Sequence, residues 1–263
     1  MSSFWGELIG TMVLITFGAG VCAAVTLKKK SFAQNAGWMV VTMGWGLAVA
    51  IAVYVSGPIS GAHLNPALTM ALAFNGSFPW EQVPSYIAAQ LIGAFLGAGL
   101  VVLHYLPHWK ETEDASAKLG VFLPLNQPFI IRLPTYLVKL LVHLYLYLVF
   151  LAIGANKFTD GLNPFIVGFF IVAIGLSLGA TTGYAINPAR DLGPRLAHFF
   201  FPIPGKGKSN WKYAWIPVVG PLLGGSLGGI FYHSAFEGKR VSCICLCGNC
   251  NCSYSIIIIY ARY

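Results

Sequence analysis

The tripeptide Asn-Pro-Ala occurs twice, at residues 65–67 and 187–189, and each copy interrupts an apolar stretch. Asparagine is a favoured N-cap residue, and proline is tolerated in the first helical turn, where its missing N–H would have no intrahelical partner. Each copy therefore predicts the start of a helix inside apolar surroundings. The apolar segments that follow, about 65–75 and 187–200, are too short to cross a bilayer. One copy alone would indicate a helix N-terminus in a loop, whereas two copies in matching positions argue against that interpretation.

The composition indicates a polytopic membrane protein. Of the 263 residues, 57% are hydrophobic and 9% are charged, whereas a soluble domain carries about 25% charged residues. Long continuous apolar runs favour helices over the alternating pattern of a membrane barrel. Because a span needs about 20 apolar residues, we predict six membrane-crossing helices. They lie near 5–27, 36–56, 84–106, 136–155, 163–181 and 212–235.

The ends of these segments add two expectations. The first span begins at Trp5 without a basic leader, so we interpret it as retained and not as a signal peptide. The polar run at 109–118 predicts a loop, and Trp109, Trp211 and Trp215, next to span ends, are expected at the membrane interface.

The remaining composition predicts no nucleic-acid partner, no metal and no cofactor. The formal net charge of +8 comes from basic residues scattered between the apolar segments, as expected for loops near lipid headgroups. No segment interleaves basic and aromatic residues as a nucleic-acid surface does. Cys22 lies in the first span, and the other five cysteines crowd an atypical tail at 240–263 without a second CxxC pair at zinc-finger spacing.

The order of the segments predicts an internal repeat. Each half consists of two spans, a short Asn-Pro-Ala helix and a third span. With three spans each, the halves enter the membrane in opposite orientations, and in such inverted repeats the interrupted segments mark the permeation site. We therefore predict an all-α membrane protein with six transmembrane helices and two re-entrant half-helices. It forms one domain over residues 1–239, with repeats at 1–108 and 134–236.

Two half-helices that meet near the membrane midplane predict a channel for uncharged molecules. Each N-terminus carries roughly half a positive charge from the helix dipole, which repels cations, while asparagine amides can still donate hydrogen bonds to a neutral solute. The residues leading into each half-helix cannot all be helical, and their carbonyls are satisfied if they line a wet path. These predicted pore-lining carbonyls belong to Gly61, Ala62, His63, Leu64, Gly183, Ala185 and Ile186. For the His63 side chain, we favour a role in fixing the loop over one in binding a ligand.

The paired motifs GAHLNPALTM and GYAINPARDL resemble those of the aquaporin (major intrinsic protein) family, in its glycerol facilitator branch. The resemblance covers residues 1 to about 122 and 151 to about 239. It implies a selectivity filter at four positions, with Asp191 beside it as a supporting residue. The filter positions are Trp45, Gly175, Tyr184 and Arg190.

The chemistry of these positions favours a small polyol. The Arg190 guanidinium can hold two neighbouring hydroxyls, the aromatic rings of Trp45 and Tyr184 offer apolar faces, and Gly175 leaves width. The resemblance implies a passive channel for glycerol and other small uncharged solutes with some water, excluding ions and protons. It further implies a homotetramer in a lipid bilayer and a multi-pass protein of a bacterial plasma membrane. A channel mainly for water or lactic acid, a secondary transporter and a membrane enzyme are the alternatives, and the last two lack coupling acids and ligand clusters in the spans.

One segment departs from the family pattern. Glu7 resembles the family's supporting glutamate, which accepts hydrogen bonds from the re-entrant loop, yet Lys139 stands at the corresponding position of the second half. Codons for KLLVHL, read one base earlier after a G, spell EIIGTF. We therefore hypothesise that residues 123–150 are a shifted reading frame, which resequencing would test.

Overall fold

The computed structural model describes residues 2–28, 31–123, 132–180, 182–183 and 185–237. Within these ranges every regular element is a helix, which confirms the predicted all-α fold. The α-helices are α1 (Ser3–Thr26), α2 (Gly37–Ser60), α3 (Pro66–Phe74), α4 (Val83–His104), α5 (Leu106–Glu111), α6 (Ala115–Phe122), α7 (Arg132–Gly154), α8 (Asn163–Leu178), α9 (Pro188–Phe200) and α10 (Ile216–Tyr232). Short 3-10 turns, Trp80–Gln82 and Trp211–Tyr213, precede α4 and α10, and a π-helical turn, His233–Glu237, follows α10.

The predicted spans correspond to α1, α2, α4, α7, α8 and α10. In the described part of the chain, four apolar helical segments are long enough to cross a bilayer, namely Ser3–Thr26, Gly37–Ser60, Trp80–His104 and Trp211–Ala235. Two shorter apolar helical segments, Lys139–Gly154 and Asn163–Leu178, belong to α7 and α8. The two predicted half-helices are α3 and α9, and each begins at the proline of its Asn-Pro-Ala motif.

The predicted loop at 109–118 is wrong, because parts of this run belong to α5 and α6. Asp114 caps α6 by accepting a hydrogen bond from the Ser116 amide at 2.8 Å. Trp109 is also not at an interface, since its side chain is fully buried and stacks on Phe122. Its indole N–H donates to the Val102 carbonyl at 3.0 Å. Phe122 of α6 thus covers the Trp109 ring, which is removed from the surface.

Glycines allow the long helices of each half to pack closely. In α4, a Cβ at Gly93 or Gly97 would overlap a backbone carbonyl of α1. In α10, a Cβ at Gly224 would lie 2.5 Å from the Leu140 carbonyl of α7. Small residues at four-residue spacing are a known means of bringing membrane helices together. The pairs α1–α4 and α7–α10 therefore form equivalent contacts in the two halves.

Each half-helix packs mainly against the other half of the molecule. Helix α3 packs mainly on α10 of the second half, and α9 packs mainly on α4 of the first. Helices α2 and α8 also pack against each other across the two halves. This arrangement brings the start of α3 close to the start of α9 in the interior of the molecule.

Three segments named above fall wholly or partly outside the described residues. They are Tyr184, the tail at 240–263 and, within the segment 123–150, residues 124–131. The reading-frame hypothesis stays a prediction.

Candidate pore

The two half-helices begin with the same capping geometry. Asn65 is extended, and its side-chain oxygen accepts a hydrogen bond from the Ala67 amide at 2.9 Å. The Asn187 oxygen accepts from Ala189 at 2.9 Å and from Arg190 at 3.2 Å. In both helices the proline follows at the first helical position. The capping oxygens satisfy amides that a helix start leaves without intrahelical partners.

The capping asparagines also tie the two loops together. The Asn65 side-chain nitrogen donates to the Ile186 carbonyl at 3.1 Å, and the Asn187 nitrogen donates to the Leu64 carbonyl at 2.7 Å. Each loop therefore supplies the acceptor for the other loop's amide. One of the two N–H donors of each amide is used in this reciprocal bond.

A cavity of about 150 Å³ lies against the half-helix starts. Its polar lining includes Asn65, Asn187 and Arg190, and residues 61–64 also border it. Most of the other lining residues are apolar, for example Leu14, Val49, Val53, Leu68, Phe150 and Val167, and Tyr147 of α7 and Asn163 of α8 also border the cavity. The lining is thus mainly apolar, with polar groups at the half-helix starts.

Two of the four predicted filter residues meet at this cavity. The Arg190 guanidinium carbon lies 4.5 Å from the centre of a Trp45 ring, a cation–π contact. Arg190 also donates to the Phe122 carbonyl at 2.8 Å, and the Trp45 indole donates to the Cys22 sulfur at 3.4 Å. Both side chains are buried, so these contacts fix them where they border the cavity.

The other two predicted filter positions differ in what the structure shows. Gly175 is buried in α8, where its carbonyl accepts a hydrogen bond from the Trp38 indole at 3.0 Å. It does not belong to the cavity wall formed by the described residues. Tyr184 lies outside the described residues.

Glu7 holds the first lead-in segment, residues 61–64, in place. Its carboxylate is fully buried and accepts hydrogen bonds from the amides of His63 at 2.9 Å and Leu64 at 2.7 Å. Leu64 has a left-handed backbone, with φ of 54°, which costs a non-glycine residue about 1–2 kcal/mol. The charge-assisted bonds to Glu7 offset that cost and keep the residue in this conformation.

Two further side chains complete the support of this carboxylate. Ser60 and Gln90 each donate to Glu7 at 2.7 Å, and the sequence analysis did not single out either residue. The His63 ring lies 3.2 Å from the Thr69 hydroxyl and packs on Phe78, in keeping with a role in fixing the loop.

The Lys139 side chain contacts the second lead-in segment, residues 183–186. It acts as a hydrogen-bond donor, whereas Glu7 acts as an acceptor in the first half. The Lys139 side chain is buried, and its ammonium group donates to the Ala185 carbonyl at 3.0 Å. Ala185 stands two residues before Asn187, as His63 stands two residues before Asn65. The two halves are therefore braced at matching positions, one by an acceptor and the other by a donor. Gly183, with φ of 69°, lies at the turn after α8.

Asp191 is paired with a residue that the sequence analysis missed. One of its oxygens accepts from Arg195 Nε at 2.9 Å and from Nη2 at 2.6 Å, and both side chains are fully buried. Arg195 also donates to the carbonyls of Ser209 and Asn210, each at 2.7 Å. The i, i+4 spacing of opposite charges on one helix was the available signal. The pair ties α9 to the chain segment that follows it.

Comparison with known proteins agrees with this geometry. The family model described as "Major intrinsic protein" matches residues 1–232. The chain belongs to the major intrinsic protein family. It is 66% identical over 243 residues to the glycerol uptake facilitator protein of Bacillus subtilis (strain 168), covering 92% of this chain and 88% of that protein. It is 56% identical to the probable glycerol uptake facilitator protein of Thermotoga maritima, covering 90% of this chain and all of that protein.

A comparison with a solved structure supports the same family assignment. The X-ray structure of the aquaglyceroporin from Plasmodium falciparum matches with a TM-score of 0.78 at 31% sequence identity. The match covers 89% of this chain and 95% of the other. Two capped half-helices within a bundle of apolar helices are thus part of an aquaporin-like fold.

Proposed function

We propose that the protein is a passive channel for glycerol and other small uncharged solutes, with some water. The observation that carries this proposal is the cavity, whose lining is mainly apolar and carries polar groups at the half-helix starts, at Asn65, Asn187 and Arg190. Glycerol carries hydroxyls along one edge and C–H groups along the other, so such a lining can replace its hydration on the polar edge. The relatives named for glycerol uptake support the same solute. Channel activity and not catalysis is what membership in the family implies.

The channel excludes ions and protons. Two half-helix N-termini and the Arg190 guanidinium border the cavity, so a cation meets positive potential there. An anion loses its hydration against walls that are largely apolar, which is costly. A neutral polyol is subject neither to the repulsion nor to this loss of ionic hydration.

The buried acids of the structure argue against ion-coupled transport. Glu7 accepts four hydrogen bonds, and Asp191 is engaged by Arg195. Glu7 therefore holds the first re-entrant segment, Asp191 neutralises Arg195, and neither carboxylate is among the described residues that line the cavity. Passive flux down a gradient is the activity that this arrangement supports.

The protein is a multi-pass membrane protein, and the bacterial relatives place it in the plasma membrane. We further propose that it assembles as a homotetramer with one pore in each subunit. Native mass spectrometry in detergent tests the assembly, and a monomer as the main species would contradict it.

Stopped-flow light scattering on vesicles with purified protein tests the proposed activity. Glycerol flux should rise in proportion to its gradient, without saturation and without dependence on sodium or proton gradients. Water, urea and lactic acid, measured in the same vesicles, rank the alternatives. A saturating, ion-dependent flux would instead indicate a secondary transporter.

A matched pair of variants links the flux to the cavity. Val53 lines the cavity, whereas Val55, on the same helix, is 42% exposed on the outer surface of the molecule. Val53→Trp should block glycerol flux because the indole fills the lumen, and Val55→Trp should leave it unchanged. Equal flux through both variants would exclude this cavity as the path.

A further inference from the structure

Two residues of α1 contact the Trp45 indole at two different points of the ring system. The indole N–H donates to the Cys22 sulfur at 3.4 Å. One helical turn earlier, a Cβ at Gly18 would lie 2.2, 2.3 and 2.6 Å from three carbons of the six-membered ring. These distances are far below ordinary contact, so the ring occupies the space that the glycine leaves open. Gly18 and Cys22 together form what we call the Trp45 seat.

The Trp45 seat determines where the ring stands relative to Arg190. The Arg190 guanidinium carbon lies 4.5 Å from the centre of a Trp45 ring, and both side chains border the cavity. A cation–π contact requires the cation to stay over the ring face, so a rotation of the indole would change both this contact and the shape of the lumen. Neither Gly18 nor Cys22 is among the described residues that line the cavity. The seat therefore acts on a solute through Trp45.

The hydrogen bond to Cys22 also decides which chemistry Trp45 presents to the lumen. The indole N–H is the one polar group of this side chain, and it can only donate. A thiol sulfur is a weak acceptor, and here it takes up that donor at a residue outside the cavity wall. The ring then offers carbon surface to the solute. Without an acceptor, the buried N–H would favour a rotated ring or a bond to water from the lumen.

We infer that Gly18 and Cys22 are positioning residues of the pore, which hold Trp45 as an apolar surface beside the Arg190 guanidinium. The inference rests on the proposed channel function and adds to it the residues that set the solute preference at Trp45. Glycerol uses both surfaces at once, since its hydroxyls pair with Arg190 while its C–H edge lies on the ring. Water needs only the polar groups, so its passage depends less on the exact position of the ring.

Two matched pairs of variants test the Trp45 seat. Cys22→Ala and Cys22→Ser are close in size, and only serine keeps an acceptor. Gly18→Ala places a methyl group where the ring lies, whereas Gly20→Ala, on the same helix, places it in open space. Glycerol and water permeabilities are measured by stopped-flow light scattering and divided by the amount of channel in the vesicles.

The glycerol-to-water permeability ratio is the quantity that the seat should change. Cys22→Ala and Gly18→Ala should each lower this ratio about fivefold, in line with one lost hydrogen bond. Cys22→Ser should restore the ratio to within about twofold of the parent, and Gly20→Ala should stay within the same range.

The outcomes separate this inference from the proposed function. If the parent protein conducts no glycerol, the proposed function fails. If the parent conducts glycerol and Cys22→Ala lowers the ratio no more than Cys22→Ser does, the role of Cys22 is overturned and the channel function stands. Equal ratios in Gly18→Ala and Gly20→Ala would overturn the role of Gly18 in the same way. A loss of both permeabilities by one factor keeps the ratio, and it would assign the seat to packing alone.

Discussion

At the scale of single residues, the interior uses buried charges as braces for backbone. Glu7 accepts two loop amides, Lys139 donates to a loop carbonyl, and Arg195 binds two carbonyls beyond the end of α9. Irregular backbone at membrane depth needs such partners, because lipid offers none. The charges therefore serve the shape of the lumen and not the chemistry of the solute.

The Asp191–Arg195 pair should be needed for folding. Asp191→Asn leaves the Arg195 charge buried without its counter-ion, which typically costs about 3–5 kcal/mol. Thermal unfolding in detergent, followed by tryptophan fluorescence, should show a markedly lower midpoint. The double variant Asp191→Asn/Arg195→Gln has no unpaired charge and should recover part of the loss. A single variant as stable as the parent would show that the pair contributes little.

Lys139 offers a test of the difference between the two halves. Lys139→Glu gives the second half the acceptor chemistry that Glu7 gives the first, so the loop amides gain a charged partner. We expect a gain in stability of about 1.5 kcal/mol, the value of one charge-assisted hydrogen bond, and a higher glycerol flux per channel. Lys139→Met, which accepts nothing, is the control and should show no gain. A Lys139→Glu protein that conducts less than the parent would contradict the expectation.

At the scale of helices, close approach depends on where glycine occurs. Gly224 faces the Leu140 carbonyl on α7, whereas Gly20 on α1 has open space where its Cβ would be. Both lie inside helices, so the intrinsic helix-propensity effect of replacing glycine by valine is similar at the two sites. Only one of the two positions is a contact between helices.

Gly224→Val should therefore destabilise the protein by about 1–3 kcal/mol or more, because the added methyl groups force α10 away from α7. Gly20→Val should be nearly neutral. The fraction that remains monodisperse on size exclusion after heating measures the difference. Equal losses in both variants would show that the α7–α10 contact tolerates a wider separation.

The sequence predicted the helix starts better than it predicted their supports. Asn65 and Asn187 carry a local signal, an N-cap followed by proline, and the structure places both as helix caps. The donors to Glu7 carry no such signal, since Ser60 and Gln90 lie 53 and 83 residues away along the chain. Trp109 was misassigned because the interface preference of tryptophan applies to exposed rings, and α6 covers this one. Local chemistry is readable from sequence, but contacts made by folding are not.

At the scale of the whole molecule, the helices that surround the cavity end before the cysteine-rich tail. Helix α10 ends at Tyr232, and the family match ends at the same residue. Deleting residues 241–263 should therefore change the glycerol permeability per channel by less than about twofold, since every cavity-lining residue in the described part of the chain is kept. Stopped-flow measurements on the full and shortened proteins check this, and loss of flux on deletion would assign the tail a part in the channel.

The reciprocal hydrogen bonds between the asparagines and the opposite loops also determine when the pore can form during synthesis. The Ile186 carbonyl that receives the Asn65 amide is 121 residues further along the chain. At a synthesis rate of roughly 5–20 residues per second, the first loop waits about 6–24 s for its partner on the ribosome. During that interval the first half-helix has its N-cap but lacks the hydrogen bond to the second loop. It therefore reaches its final position late in synthesis. The lumen is completed only once the second loop has been made, and a nascent chain holds no finished pore before then.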